Sequence, residues 1–151
     1  MKDWYQDVLF AAPSVAANVA HPMLQELLAE LRTPGRKFAF LCGHDSNIGS
    51  VLAALGVEPY DAPAAIETKT RIGGKILFQK FRGRDGKLYA DIWLVCASAD
   101  QLREVTLLDP ENPPMSLQLH LKGLAPNADG LYLFADLERR FAEAIDLYET
   151  F

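Results

Sequence analysis

One stretch constrains this chain more than any other. Lys37 to Cys42 is a short apolar run with Phe38 and Phe40 in it, and Gly43 ends it. A run of that kind predicts a strand buried on both faces of a sheet. Ile48, Val51, Leu52 and Leu55 then recur at helical spacing, and Gly56 stands where a helix would stop. The polar residues His44, Asp45, Ser46 and Asn47 therefore fall where a strand hands over to a helix. In open α/β sheets that edge is where ligands bind, and the free N–H groups of a helix start favour anions there. Two roles remain open for these four residues. Asp45, Ser46 or Asn47 can serve as a helix cap, with His44 a turn histidine. Alternatively, adjacent groups able to move protons make a candidate site.

The chain has 151 residues, enough for one domain with a real core. Half of them are hydrophobic, so the composition is globular rather than disordered. The net charge of −5, with no basic run to offset it, argues against nucleic acid or an anionic membrane as partner. Cys42 and Cys96 each lie in an apolar run and are expected as free buried thiols, with no disulfide framework. His21, His44 and His120 have no ligand-spaced companions, so neither a metal site nor a cofactor is expected. No apolar stretch approaches the ~20 residues of a membrane span, and the first residues do not resemble a signal peptide.

Taken in order, Asp3 to Phe10 reads as a short amphipathic piece. Pro13 opens a longer helix with Val15, Val19, Leu24, Leu27, Leu28 and Leu31 as its apolar side, and Pro22 predicts a kink or break near His21. Thr33-Pro34-Gly35 ends it. Glu58 to Ile72 is an irregular connection. Lys75 to Arg82 and about Leu88 to Ala97 form an antiparallel hairpin around Gly83-Arg84-Asp85-Gly86. A helical piece at Asp100–Arg103 is followed by a loop, Asp109 to Pro114. Met115 to Leu121 alternates as a half-buried strand with His120 on its polar side. Phe134, Leu137, Phe141, Ile145 and Tyr148 make the buried stripe of a final helix.

The central turn is not a nucleophile elbow, because its Ser is not centred between glycines, and Gly73-Gly74-Lys75 is not a phosphate-binding loop. A Cys42–His44 nucleophile pair stands against a buried core thiol as the alternative reading of Cys42.

Gly43-His44-Asp45-Ser46-Asn47-Ile48 resembles the histidine–aspartate signature of the histidine acid phosphatases, the glucose-1-phosphatase and phytase branch above all. Trp4 to Ala11 with Pro13, Asn18-Val19-Ala20 with Pro22, Ile72 to Gln79, Ser98 to Arg103 and Ala128-Asp129-Gly130 are similar to further landmarks of that branch, in the same order. The resemblance implies an α/β fold: a mixed sheet with flanking helices, the C-terminal part of a histidine-phosphatase (phosphoglycerate-mutase-like) domain. It implies phosphomonoester hydrolysis, with Asp45 protonating the leaving oxygen and His44, Ser46 and Asn47 contacting phosphate. A carboxylic acid beside a dianionic phosphate has its ionisation disfavoured by like charge, which suits a general acid.

The family's Arg-His-Gly-x-Arg-x-Pro motif, which supplies the nucleophilic histidine and the arginine grip, does not occur in this sequence, and neither does its cap domain. The cysteine pair the family carries around the turn matched by Gly123 to Leu133 is absent as well. Arg71 replaces a proline and is expected to be a solvated loop arginine, with contact to substrate as the alternative. The expected partners are a phosphomonoester such as a sugar phosphate and either a missing N-terminal half or a second copy of the chain, since the strand at 38–42 would lack a neighbour. The family implies a periplasmic or secreted location. The chain is either the acid-bearing part of a phosphatase, inactive alone, or a non-catalytic remnant of the scaffold that binds phosphate or a partner.

Overall fold

In a computed structural model of the chain, residues 12–62 and 70–148 are described. The amphipathic piece expected at Asp3–Phe10 and part of the Glu58–Ile72 connection lie outside them. Helix α1 runs Pro13–Arg32 and α2 runs Asp45–Ala54. Strands β1 (Lys75–Arg82) and β2 (Leu88–Cys96) follow, then the short α3 (Ala99–Arg103), β3 (Met115–Gln118), β4 (Tyr132–Leu133) and α4 (Phe134–Asp146).

The sheet is antiparallel in every ladder among the described residues. β2 is its centre, paired with β1 from Leu88 to Val95 and along shorter parts with β3 and β4. The hairpin register sets Phe78 opposite Ile92 and Ile76 opposite Leu94. Side chains alternate across a strand, so one sheet face collects Ile76, Phe78, Ala90, Ile92 and Leu94. Helices α1, α2 and α4 close over that face. Leu24, Leu55, Ile92, Leu119, Leu121, Tyr132, Leu137 and Phe141 lie within it, each no more than 1% exposed. Helices against a sheet confirm the expected α/β class.

Several local expectations are corrected. Of the kink or break expected near His21, the break does not occur: α1 continues through Pro22. The helix buries Ala16, Ala17 and Ala20 in its first half, whereas Val15 and Val19 face outward. α4 buries Phe134, Leu137 and Phe141 as its periodicity requires, but Tyr148 at its end is exposed and stacks on the His21 ring, centroids 4.1 Å apart.

The largest departure is the run before α2. Residues 36–44 belong to no strand, and Phe38 and Phe40 are 72% and 67% exposed. Cys42 is exposed with them, not buried; Cys96 is buried as expected. A strand needs a neighbour to hold its N–H and C=O groups, and no described strand lies alongside this one. The β1–β2–β3 sheet satisfies its own ladders and leaves the run outside it.

Arg71 is the other correction. It is 7% exposed, not a solvated loop residue. A tight turn follows it before β1: the Gly74 N–H donates to the Arg71 carbonyl (2.9 Å), and Gly73 takes φ +64°. A Cβ on Gly74 would stand 2.9 Å from the Arg71 oxygen, so only glycine lets the chain fold back this closely.

Candidate functional site

The turn at 43–47 is built by its own side chains. His44 is the N-cap of α2 in an extended conformation (φ −110°, ψ 174°), and its carbonyl accepts the first helical bond from the Ile48 N–H at 3.1 Å. Asn47, three residues on, reaches back so that its Oδ1 accepts from the His44 N–H at 2.9 Å. That is the return half of a capping box. Gly43 makes room for it: a Cβ at 43 would meet Asn47 Oδ1 at 3.2 Å and Asn47 Cβ at 3.3 Å. Asp45 opens the helix, and its Oδ1 accepts from the Ser46 N–H at 2.8 Å. A carboxylate on the first turn interacts favourably with the positive end of the helix.

The N-cap is His44 itself, not Asp45, Ser46 or Asn47 as the capping reading expected; Asn47 supplies only the return bond, and His44 and Asp45 stand adjacent and exposed at the start of a ten-residue helix. Ser46 and Asn47 are half-buried beside them. The four sequence-predicted site residues are thus brought together by one helix start. Chemically, the turn offers an imidazole and a carboxyl group at the positive end of a helix on one open surface. Such a set can hold an anion and exchange a proton with it.

Cys42 precedes the turn on the exposed run, and His120 lies elsewhere, exposed, its Nδ1 3.5 Å from the Tyr132 hydroxyl. Among the described residues no group of three His, Cys, Asp or Glu side chains could hold a metal ion, and no helix is long and apolar enough to cross a membrane.

Sequence reasoning did not foresee a second polar cluster, around Arg71. Burial pushes the Tyr60 hydroxyl and the Cys96 thiol up from their usual pKa values, and the nearby Arg71 guanidinium draws both partly back. The sequence carried only an indirect signal for it: Gly73-Gly74 marks a tight turn just after Arg71, and Ile72 between them is exposed. On the central strand, Asp91 is 5% exposed, and its Oδ1 has no hydrogen-bond partner.

No family model matches the chain. Glucose-1-phosphatase of Providencia rettgeri is 34% identical over 97% of this chain and 36% of its own length. Glucose-1-phosphatase of Salmonella typhimurium is 39% identical over 86% of this chain and 32% of its own. The chain thus spans about a third of the curated relatives it matches, and the part matched is their C-terminal portion. Among solved structures, the phytase of Citrobacter braakii superposes with a TM-score of 0.84 at 23% identity, covering 98% of this chain and 41% of that one, a likeness of fold.

Proposed function

We propose that this chain, a homologue of the C-terminal portion of the histidine acid phosphatases in their glucose-1-phosphatase and phytase branch, carries one half of a phosphomonoesterase site. Asp45 is the proton donor to the leaving oxygen. His44, with the half-buried polar groups of Ser46 and Asn47, contacts the phosphoryl oxygens. The reading rests on one observation above others: His44 and Asp45 are adjacent, exposed and fixed at the start of α2 by the Asn47 cap.

The chemistry follows from the residue types. When the ester P–O bond breaks, the departing oxygen must gain a proton, and Asp45 in its acid form supplies it. A cationic His44 stabilises charge on the non-bridging oxygens. The nucleophile that receives the phosphoryl group, and the arginines that grip it, have no counterpart in these 151 residues. They are assigned to polypeptide outside this sequence, so the chain alone binds but does not turn over. The substrate class is a phosphomonoester such as a sugar phosphate, and the location is the periplasm or the exterior, as the family implies.

Two measurements test the reading. Phosphate titrated into the chain should shift the His44 ring NMR signals at a pH where the ring is charged; no shift at millimolar phosphate counts against an anion site. In a complete enzyme containing this segment, Asp45→Asn should cost roughly 10²–10⁴-fold with a poor leaving group and much less with p-nitrophenolate. Equal losses would make Asp45 a helix cap and nothing more. Phosphomonoester hydrolysis by the purified 151-residue chain, abolished by His44→Ala, would overturn the division into halves.

A further inference from the structure

The glycine that precedes His44 has no conformational reason to be glycine. Among the described residues, the glycines with a left-handed backbone are Gly35, Gly56, Gly73, Gly86, Gly123 and Gly130, and Gly43 is not one of them. Its backbone therefore does not call for the freedom that glycine alone has. What a side chain there would touch decides the matter. The three heavy atoms nearest to a Cβ at 43 all belong to one side chain: Asn47 Oδ1 at 3.2 Å, Cβ at 3.3 Å and Cγ at 3.5 Å. Two carbons settle at roughly 3.5–4.0 Å, so Asn47 would have to give way.

The atom displaced is the one that holds His44. Asn47 Oδ1 accepts from the His44 N–H at 2.9 Å, and the His44 carbonyl accepts from the Ile48 N–H at 3.1 Å. Both backbone polar groups of His44 are thus engaged, which fixes how its ring leaves the chain. Asp45 follows as the first residue of α2, so the same two bonds set the direction of its carboxyl group. From the upstream side no described ladder shares the task, since residues 36–44 belong to no strand. With Oδ1 on His44, the donor end of the Asn47 amide, Nδ2, is the part that can serve a phosphoryl oxygen.

α3 shows that a capping bond alone does not require a bare Cα before it. Its start carries the same reciprocal pair: Gln101 Oε1 accepts from the Ser98 N–H at 2.9 Å, and Ser98 Oγ accepts from the Gln101 N–H at 3.1 Å. The preceding residue there is Ala97, which has a Cβ. The tight fit between 43 and 47 is particular to the turn that bears the imidazole and the carboxyl group.

We propose that Gly43 and Asn47 form one positioning device for the His44–Asp45 pair. The bare Cα of Gly43 gives the Asn47 amide its place, and the Asn47 oxygen locks the His44 backbone. The existence of the lock rests on the geometry of the turn; its purpose rests on the half-site reading given above. A pair held this way need not be ordered by the substrate, which is what a proton donor and a phosphate contact require.

Hydrogen exchange of the 151-residue chain, read by NMR as the protection factor of the His44 N–H, tests the lock without any ligand. Gly43 is exposed, so alanine there does not threaten the core. Asn47→Ala and Gly43→Ala should each lower His44 protection about fivefold, the usual effect of losing a capping contact. Asn47→Asp keeps an acceptor at the position and should stay near the parent. Gly43→Ala combined with Asn47→Ala should be no less protected than Asn47→Ala alone, because two residues that act as one unit are not additive. Ser98→Ala, in the other capping pair, should leave His44 untouched, and the Val51 and Leu52 amides with circular dichroism check that α2 and the fold persist. In the same samples the phosphate dissociation constant read at the His44 ring should rise in Gly43→Ala by up to the factor lost in protection, since affinity scales with the fraction of turns that are locked. His44 protection unchanged by Gly43→Ala, losses that add in the double variant, or no retention in Asn47→Asp would each overturn the lock. The expected exchange pattern in a chain that ignores phosphate would support the lock and overturn the half-site reading instead.

Discussion

Val105 offers a quantitative test of the loop that follows α3. It is the one described non-glycine residue with positive φ, at +53°. Its position explains why. α3 ends at Arg103 with Glu104 as C-cap, and the Thr106 N–H bonds to the Gln101 carbonyl, the six-to-one closure of a Schellman motif. That geometry puts a left-handed residue at 105, where glycine is usual. An L-residue pays roughly 1–2 kcal/mol there, and a β-branched one sits toward the upper end. Replacement by glycine removes that strain but enlarges the unfolded ensemble, a loss of roughly 0.5–1 kcal/mol. Val105 is 86% exposed, so almost no burial is forfeited. The balance for Val105→Gly is a stabilisation of about 0.5–1 kcal/mol. In urea, the midpoint should rise with an unchanged slope. Leu107→Ala, equally solvent-facing but unstrained, should stay within about 0.5 kcal/mol of the parent. A midpoint that falls on Val105→Gly, or that rises equally for both variants, would refute the strain argument.

Two further outcomes are expected. Ser50 is fully buried in α2 with no partner for its Oγ; Ser50→Ala removes an unmet hydroxyl, worth about 1–3 kcal/mol, and gains helix propensity, so thermal unfolding should move upward, and a clear drop would mean that the hydroxyl is satisfied. Asp85 accepts from the Lys87 N–H (3.0 Å) and the Tyr89 hydroxyl (2.9 Å), which hold its carboxyl below the usual carboxylate range; its contribution is therefore present above the unfolded pKa of about 3.9 and lost as pH falls through the lower folded value, so Asp85→Asn should be less stable than the parent at neutral pH and converge with it in acid, as urea midpoints along a pH series would read.

Most of the fold was legible because local chemistry decided it. The Lys75–Arg82 strand, the Asp-Gly-closed turn and the return strand carry their alternation and their turn residues in the sequence, and the structure places the hairpin at those residues. The helix start at Asp45 was legible for the same reason: a small residue, a polar cluster and a helical apolar period in succession. What failed depended on neighbours. Val15 and Val19 fit a helical apolar stripe, yet the residues that α1 buries in its first half are Ala16, Ala17 and Ala20, while both valines face outward. Periodicity weighted the larger apolar residues and passed over the alanines. Arg71 was misread because side-chain type suggested solvent, whereas tertiary packing around Tyr60 and Cys96 buries it.

The run Phe38 to Cys42 is the instructive failure. Its composition asks for burial on both sides, and its backbone asks for a neighbouring strand. The structure grants neither: Phe38 and Phe40 are largely exposed, and no described ladder includes the run. Burial of two such aromatic side chains is worth roughly 1.5–3 kcal/mol each, so exposing both is a sizeable unclaimed stabilisation for a domain of this size. Apolar patterning records the surroundings in which a segment is stable, and these surroundings are not within the described residues. The exposed run leads directly into His44 and Asp45. Whatever strand comes to lie beside Phe38–Cys42 would therefore have its end next to the proposed proton donor, and the completion of the sheet and of the site would be one event.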